Sequence, residues 1–164
     1  MTDGHAFWRF SLSRYSRPGV AALCLEAQGR FGADVNLLLF GLWLGSTGRI
    51  MTPAGVLRAR DTVSGWHEEV VRALRGARSW MKHCAIGDAG PREALREGIK
   101  QLELEAERQE QDLLFALWQA DDGADRNLFP SGADPHRAMR ANLAAFLDVP
   151  ADDSLVEALA GLCA

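Results

Sequence analysis

Val35-Asn36-Leu37-Leu38-Leu39-Phe40-Gly41-Leu42-Trp43-Leu44 is the stretch that decides the fold, because Asn36 is its only polar side chain. A helix that is apolar around its whole circumference needs neighbours on every side, so residues 34–45 are expected at the centre of an all-α bundle. The run is about half the length that crosses a bilayer, which makes it a core helix and argues against a membrane protein. Asp34 stands where an N-cap belongs. Gly41 and Gly45, four residues apart, lie on one face and would admit a close helix neighbour. Asn36 is expected to be a buried amide that must find partners, through structural registry or through a ligand.

On the N-terminal side, Trp8, Leu12 and Tyr15 share a helical face, widened by Phe7 and Phe10. Ser16-Arg17-Pro18-Gly19 breaks the chain, and Val20, Leu23, Cys24, Ala27 and Phe31 mark a second helix that ends at Gly29 and Gly32. On the C-terminal side, Thr52-Pro53 is a cap followed by a first-turn proline. It opens a heptad-like seam, Val56, Ala59, Val63, Trp66, Val70, Ala73, Ala77 and Trp80. After a turn at residues 87–91 a second seam follows: Leu95, Ile99, Leu102, Ala106, Gln109, Leu113 and Ala116. The two stretches, 53–83 and 91–119, are expected to fold back as a long antiparallel hairpin.

Charge supports that pairing. The first arm carries six bases (Arg58, Arg60, Arg72, Arg75, Arg78, Lys82) against three acids (Asp61, Glu68, Glu69). The second carries four bases (Arg92, Arg96, Lys100, Arg108) against seven acids (Glu93, Glu97, Glu103, Glu105, Glu107, Glu110, Asp112). Facing helices of opposite sign pair and orient each other, each exposed pair contributing about 0.2–1 kcal/mol. Asp134-Pro135 then begins a helix that ends near Leu147, and Leu155, Leu159 and Leu162 share a face of a last short one. The total is about seven helices in one domain spanning residues 1–164.

The 164 residues, 48% hydrophobic and 24% charged, are those of a globular chain that needs no disulfide or metal staple. A formal charge of -4 supplies no general field for nucleic acid or anionic lipid. Cys24, Cys84 and Cys163 form no CxxC pair and read as reduced thiols. With no basic segment followed by an apolar run at Met1–His5, the chain is expected to be cytoplasmic.

Catalytic signatures are missing from the sequence. It has no GxSxG, GxxxxGK[ST] or GxGxxG pattern, and none of His5, His67, His83 and His136 follows a glutamate by three residues. Asp121-Asp122-Gly123-Ala124-Asp125 has the DDxxD form that holds magnesium diphosphate in helical isoprenoid synthases. Gly123 interrupts it and no second acidic motif faces it, so a solvated helix end is expected. No metal, no cofactor and no catalytic residue are assigned. The histidines are expected at the surface or at helix ends.

Two kinds of site remain. Contact with a protein partner or a second copy would use a basic surface at the hairpin tip, Arg78, Lys82, Arg92 and Arg96. A small-ligand site, or an enzyme of unfamiliar type, would use a cleft lined by Trp8, Trp43 and Trp66 with Arg9, Asp34 and Asn36 as polar groups. Contact is the reading preferred from sequence.

Phe7-Trp8-Arg9-Phe10-Ser11-Leu12, then Tyr15, Pro18-Gly19-Val20, Cys24-Leu25 and Gln28, then Asp34 to Phe40 with Trp43-Leu44, resemble the opening of a small proteobacterial family of unknown function. The resemblance runs on through the hairpin to the Asn142-Leu143 helix. It implies a bacterial, cytoplasmic, helical protein and brings no catalytic residues with it.

Overall fold

The computed structural model describes residues 4–122 and 127–164, apart from the side chain of Asp122. Its helices are α1 (Ala6–Tyr15), α2 (Val20–Phe31), α3 (Val35–Ser46), α4 (Pro53–Trp66), a π-helical turn (His67–Val71), α5 (Arg72–His83), α6 (Ala89–Asp122), α7 (Pro135–Leu147) and α8 (Ser154–Cys163). Because α4, the π turn and α5 run on without a break, the described residues form seven helical rods and no strand. None of these helices is long and apolar enough to cross a membrane. The acidic motif that begins at Asp121 falls largely outside the described residues. Asp121 itself is buried and accepts the Leu128 N–H through both carboxylate oxygens, closing the connection that follows α6.

Helix starts follow local chemistry. Asp34 accepts from Asn36 N, Thr52 from Gly55 N, Asp134 from Arg137 N and Asp153 from Leu155 N, each relieving an orphan donor of a first turn. α1 is capped by His5, whose Nδ1 accepts from Trp8 N while Nε2 donates to Asp112 at 3.0 Å. The imidazole stacks on Phe115 with centroids 4.1 Å apart. Desolvation by burial holds its pKa below the usual histidine range, in keeping with a neutral ring spent on structure.

α3 is the centre of the fold, with every residue from Asn36 to Gly45 buried. Its closest neighbour is α7. A Cβ on Gly45 would lie 2.5 Å from the Met139 backbone, and one on Gly41 would press Asn142 and Phe146 at 3.2 Å. The two glycines are therefore where α7 rests on α3. Asn142, fully buried, donates to the Gly41 and Arg49 carbonyls and accepts from Met51 N. It ties the end of α3 and the approach to α4 onto α7, using all its close partners on backbone that would otherwise be unsatisfied.

The hairpin forms, but its buried stripe is not the apolar seam. Val56, Ala59 and Val63 are buried as expected, whereas Trp80 and Ala77 face out. The π turn contributes one additional residue to the helical register, so the inward stripe passes from Val63 to His67, Val71, Arg75 and Arg78. On α6 the inward positions are Glu103, Ala106, Glu110, Gln111 and Leu114, while Leu102, Gln109 and Leu113 are exposed. Gln109 is thus a surface residue, and the buried amide on this helix is Gln111. Arg75 binds Glu103 and Glu107 at 2.9 and 2.6 Å, and Arg78 binds Glu103 at 2.6 Å. Charge pairing across the arms overrides the apolar pattern. The outer arm, α5, buries no residue and leans on α6 through these ion pairs.

Candidate metal centre

Three elements deliver one donor each to a point beneath the π turn. Asp34 is there because it caps α3, and its Oδ1 is already engaged by Asn36 N at 2.8 Å. Its Oδ2 lies 3.2 Å from His67 Nδ1. Glu110 comes from the middle of α6, fully buried, with Oε1 at 3.1 Å from the same nitrogen. His67 is the first residue of the π turn, and that turn carries the ring onto the inward face of the hairpin. Such single-turn widenings of a helix recur where a side chain has been re-aimed for function.

Second contacts hold this trio in place. Asn36 Nδ2 donates to Glu110 Oε2 at 2.7 Å, and Gln111 Nε2 donates to Asn36 Oδ1 at 2.8 Å. Asp34 and Glu110 bring their carboxyl groups close together, each within 3.2 Å of the same His67 nitrogen. Burial, reinforced by the adjacent Glu110, pushes Asp34 up to about 8. Burial also works against the charge of Glu110. Hydrogen bonds from His67, Asp34 and Asn36 outweigh it and hold that carboxyl below its ordinary range. The hydrogen bond to Glu110 raises the pKa of His67 against the opposing effect of burial. Near neutral pH the trio therefore stores protons: a neutral Asp34, an ionised Glu110 and an imidazole biased toward its charged form.

The donor atoms of the three residues lie within 4.8 Å of one another. Neighbouring donors around a divalent ion with bonds of about 2.0–2.2 Å stand roughly 3.0–3.4 Å apart, and the nitrogen–oxygen separations here already match. One imidazole and two carboxylates form a set of mixed hardness, suited to zinc, manganese or ferrous iron more than to calcium or copper(I). Asp34 and His67 line the wall of a cleft of about 710 Å³, bordered also by Phe31, Leu37, Arg60, Ser64, Arg72 and Phe146. An ion held by three protein donors at such a wall retains open positions for a ligand from the cleft.

Of the residues expected at a site, Asp34 and Asn36 meet in this network. Trp8 does not reach the trio, and lines a second cavity together with Asn36. Trp43 lies instead in a buried aromatic cluster with Phe7, Phe40, Phe115 and Trp118. Trp66 spends its Nε1–H on the Ala106 carbonyl at 2.9 Å, pinning α4 to α6. Arg9 is exposed and donates to the Gly4 carbonyl. At the hairpin tip, Arg78 is committed to Glu103, Arg96 to Glu93, and Arg92 to the Ile86 and Gly87 carbonyls. Lys82 has no ion-pair partner among the described residues. His67 and Glu110 were not expected at a site, because each sits at a helical position with no local ligand spacing.

Fold and site together define an all-helical protein with a carboxylate–imidazole centre between its central helix and its hairpin. The chain belongs to the family described as "Protein of unknown function (DUF2390)", whose model matches residues 6–114. That span contains all three residues of the trio and stops short of the Asn142 helix, to which the resemblance drawn from the sequence extends. No curated protein and no solved structure matches the chain.

Proposed function

We propose that this protein holds a divalent first-row transition-metal ion at Asp34, His67 and Glu110 and offers it to a small molecule entering the adjoining cleft. The observation that carries the reading is the spacing of the donors: His67 Nδ1 at 3.1 and 3.2 Å from two carboxylate oxygens supplied by two other helices. Two buried carboxyls side by side are costly unless a cation or a proton separates them. His67 is the cation paired with both among the described residues. A metal would displace the proton that Asp34 keeps and the imidazolium proton and satisfy both carboxylates at once. Asn36 would orient Glu110, as outer-shell amides do around metal ligands. With three protein donors the ion keeps positions for water or substrate, the arrangement of catalytic centres rather than structural ones. A bacterial cytoplasmic setting is part of the same proposal, supported by the sequence resemblance and by thiols that remain free.

Calorimetric titration with Zn2+ and Mn2+ tests this. One ion per chain is expected to bind to the wild type, with the site lost in His67→Ala and weakened in Glu110→Gln. Equal binding by wild type and His67→Ala would place any bound ion elsewhere and end the proposal.

A different observation favours contact as a second property. Trp80 and Ile86, at the outer end of the hairpin, are 62% and 74% exposed. Exposed apolar side chains at the end of a helical arm are available for a protein contact. We propose a second copy of this chain as the partner. Sedimentation velocity should then show concentration-dependent association that Trp80→Ser removes. A monomer at all concentrations would exclude self-association.

A further inference from the structure

We propose that the cleft beside the trio takes a small organic carboxylate, its anionic end held by Arg60 and its apolar body laid against Phe31, Leu37 and Phe146. Three arginines border this cleft, Arg60, Arg72 and Arg75. Two of them are already neutralised. Arg72 lies 2.9 and 2.8 Å from the two oxygens of Glu68, and Arg75 bridges Glu103 and Glu107 at 2.9 and 2.6 Å. Arg60 has no carboxylate partner among the described residues. Its Nη2 donates to the Phe146 carbonyl at 2.8 Å and reaches the Ala145 carbonyl at 3.5 Å, both in the last turn of α7. Its charge centre stands 5.9 Å from the Phe146 ring. Phe146 is itself part of the cleft wall, so these contacts fix the guanidinium against that wall. Its Nε and Nη1 have no hydrogen-bond partner among the described residues, and neither atom is sealed from solvent.

An anchored guanidinium with N–H groups to spare is the group that meets a carboxylate, through charge-assisted and often paired hydrogen bonds. The neighbouring charges limit the charge of the ligand. Arg60 leaves one positive charge unmatched, and the other two arginines of the cleft are spent on glutamates. A phosphate monoester, with nearly two charges at neutral pH, would keep one of them unmet. Position sets the length of the ligand. Arg60, Ser64 and His67 follow one another at i, i+4 and i+7 along one unbroken rod, and all three line the cleft. From Arg60 to His67 the rod rises roughly 10 Å. A ligand of about one ring and a short chain, held at Arg60 by its carboxylate, therefore extends past Ser64 toward the trio. As the substrate class of the proposed centre, the carboxylate rests on the metal reading; the anion pocket at Arg60 does not, and it is tested without metal.

Hydrocinnamate and hydrocinnamamide have one shape and differ in charge. Followed by NMR of the isotope-labelled, metal-free chain, the acid should move the amide signals of Ser64 and Phe146. It should bind about tenfold more tightly than the amide, the discrimination expected of a charge-assisted hydrogen bond. Phenyl phosphate should bind no more tightly than the acid. Arg60→Gln keeps an N–H donor for the Phe146 carbonyl and removes the charge, so this variant should remain helical and bind acid and amide alike. Equal affinities in the wild type, no movement of those two signals, tighter binding of phenyl phosphate, or a preference that survives in Arg60→Gln would each overturn the proposal. Should the variant fail to fold, the three probes on the wild type decide alone. Calorimetry with Zn2+ is a separate readout: a chain that binds no ion yet prefers the acid keeps the pocket and loses the metal centre, and the reverse result loses the pocket alone.

Discussion

Asn36 and Glu110 are joined by a 2.7 Å hydrogen bond that connects the first turn of the central helix to the middle of the hairpin's second arm. Asn36 is 6% exposed and has bonding partners at both ends of its amide, so it is a fixed buried group. Changing it to leucine would strip Glu110 of one hydrogen-bond donor and leave Gln111 unanchored. Outer-shell changes of this kind cost metal sites about 10–100-fold in affinity. Asn36→Leu is therefore expected to weaken Zn2+ binding by that factor while the circular dichroism signal remains helical. An unchanged affinity would reduce Asn36 to packing alone.

Asp34 makes the stability of the metal-free protein depend on pH in a defined direction. Its folded pKa, about 8, is above the ordinary aspartate value of 3.8. The native state thus binds more protons than the unfolded chain between those limits, and its contribution, complete below the lower limit, is lost as pH rises through about 8. His67, also raised, acts in the same sense, while Glu110, lowered, loses its contribution only at acid pH. The positive charge of Arg75 opposes the charging of His67. Asp34→Asn retains a capping oxygen and removes the titration. Urea midpoints from pH 5 to 9 should fall more steeply for the wild type than for this variant, and parallel curves would refute the raised pKa of Asp34.

Metal binding should run the opposite way with pH. The ion must displace the proton that Asp34 keeps and any on His67, so affinity for Zn2+ rises toward pH 8 and binding at neutral pH releases protons. Titrations in two buffers of different ionisation enthalpy measure that release directly. Proton uptake, or none, would contradict the ionisation states described for the trio.

Gly45→Ala tests the contact between α3 and α7. The added carbon would meet Met139 backbone atoms at 2.5 Å, which cannot rotate aside. A loss of about 1–3 kcal/mol is expected in chemical denaturation, as for other overpacked cores. Gly29→Ala, where nothing lies within 4 Å, is the matched control and should not destabilise the fold.

Arg78 and Lys82 distinguish internal pairing from surface charge. Arg78→Glu would set a second carboxylate against Glu103, which is 7% exposed at its side chain, and the hairpin should lose stability. Lys82→Glu should leave the melting temperature nearly unchanged. If both variants behaved alike, the ion pairs of the hairpin would contribute nothing measurable.

Much of this architecture is legible in the chain because it follows from rules of short range. The all-round apolarity of residues 35–44 determined a central helix, and Asp34, Thr52 and Asp134 determined where three of the helices begin. The glycines at 41 and 45 declared the close neighbour, and the opposite signs of the two arms declared the hairpin. These depend on spacings of three and four residues, which are local properties of an α-helix. The tertiary structure alone decided which face of the hairpin is buried. A five-residue π turn at His67–Val71 shifts the register of the first arm, so that Arg75 and Arg78 face the buried Glu103 while Leu102 and Trp80 stay exposed. The trio of Asp34, His67 and Glu110 has the same origin. Its members share no local motif because they belong to three helical rods, and proximity between rods is set by packing across the whole bundle rather than by any residue's neighbours in sequence.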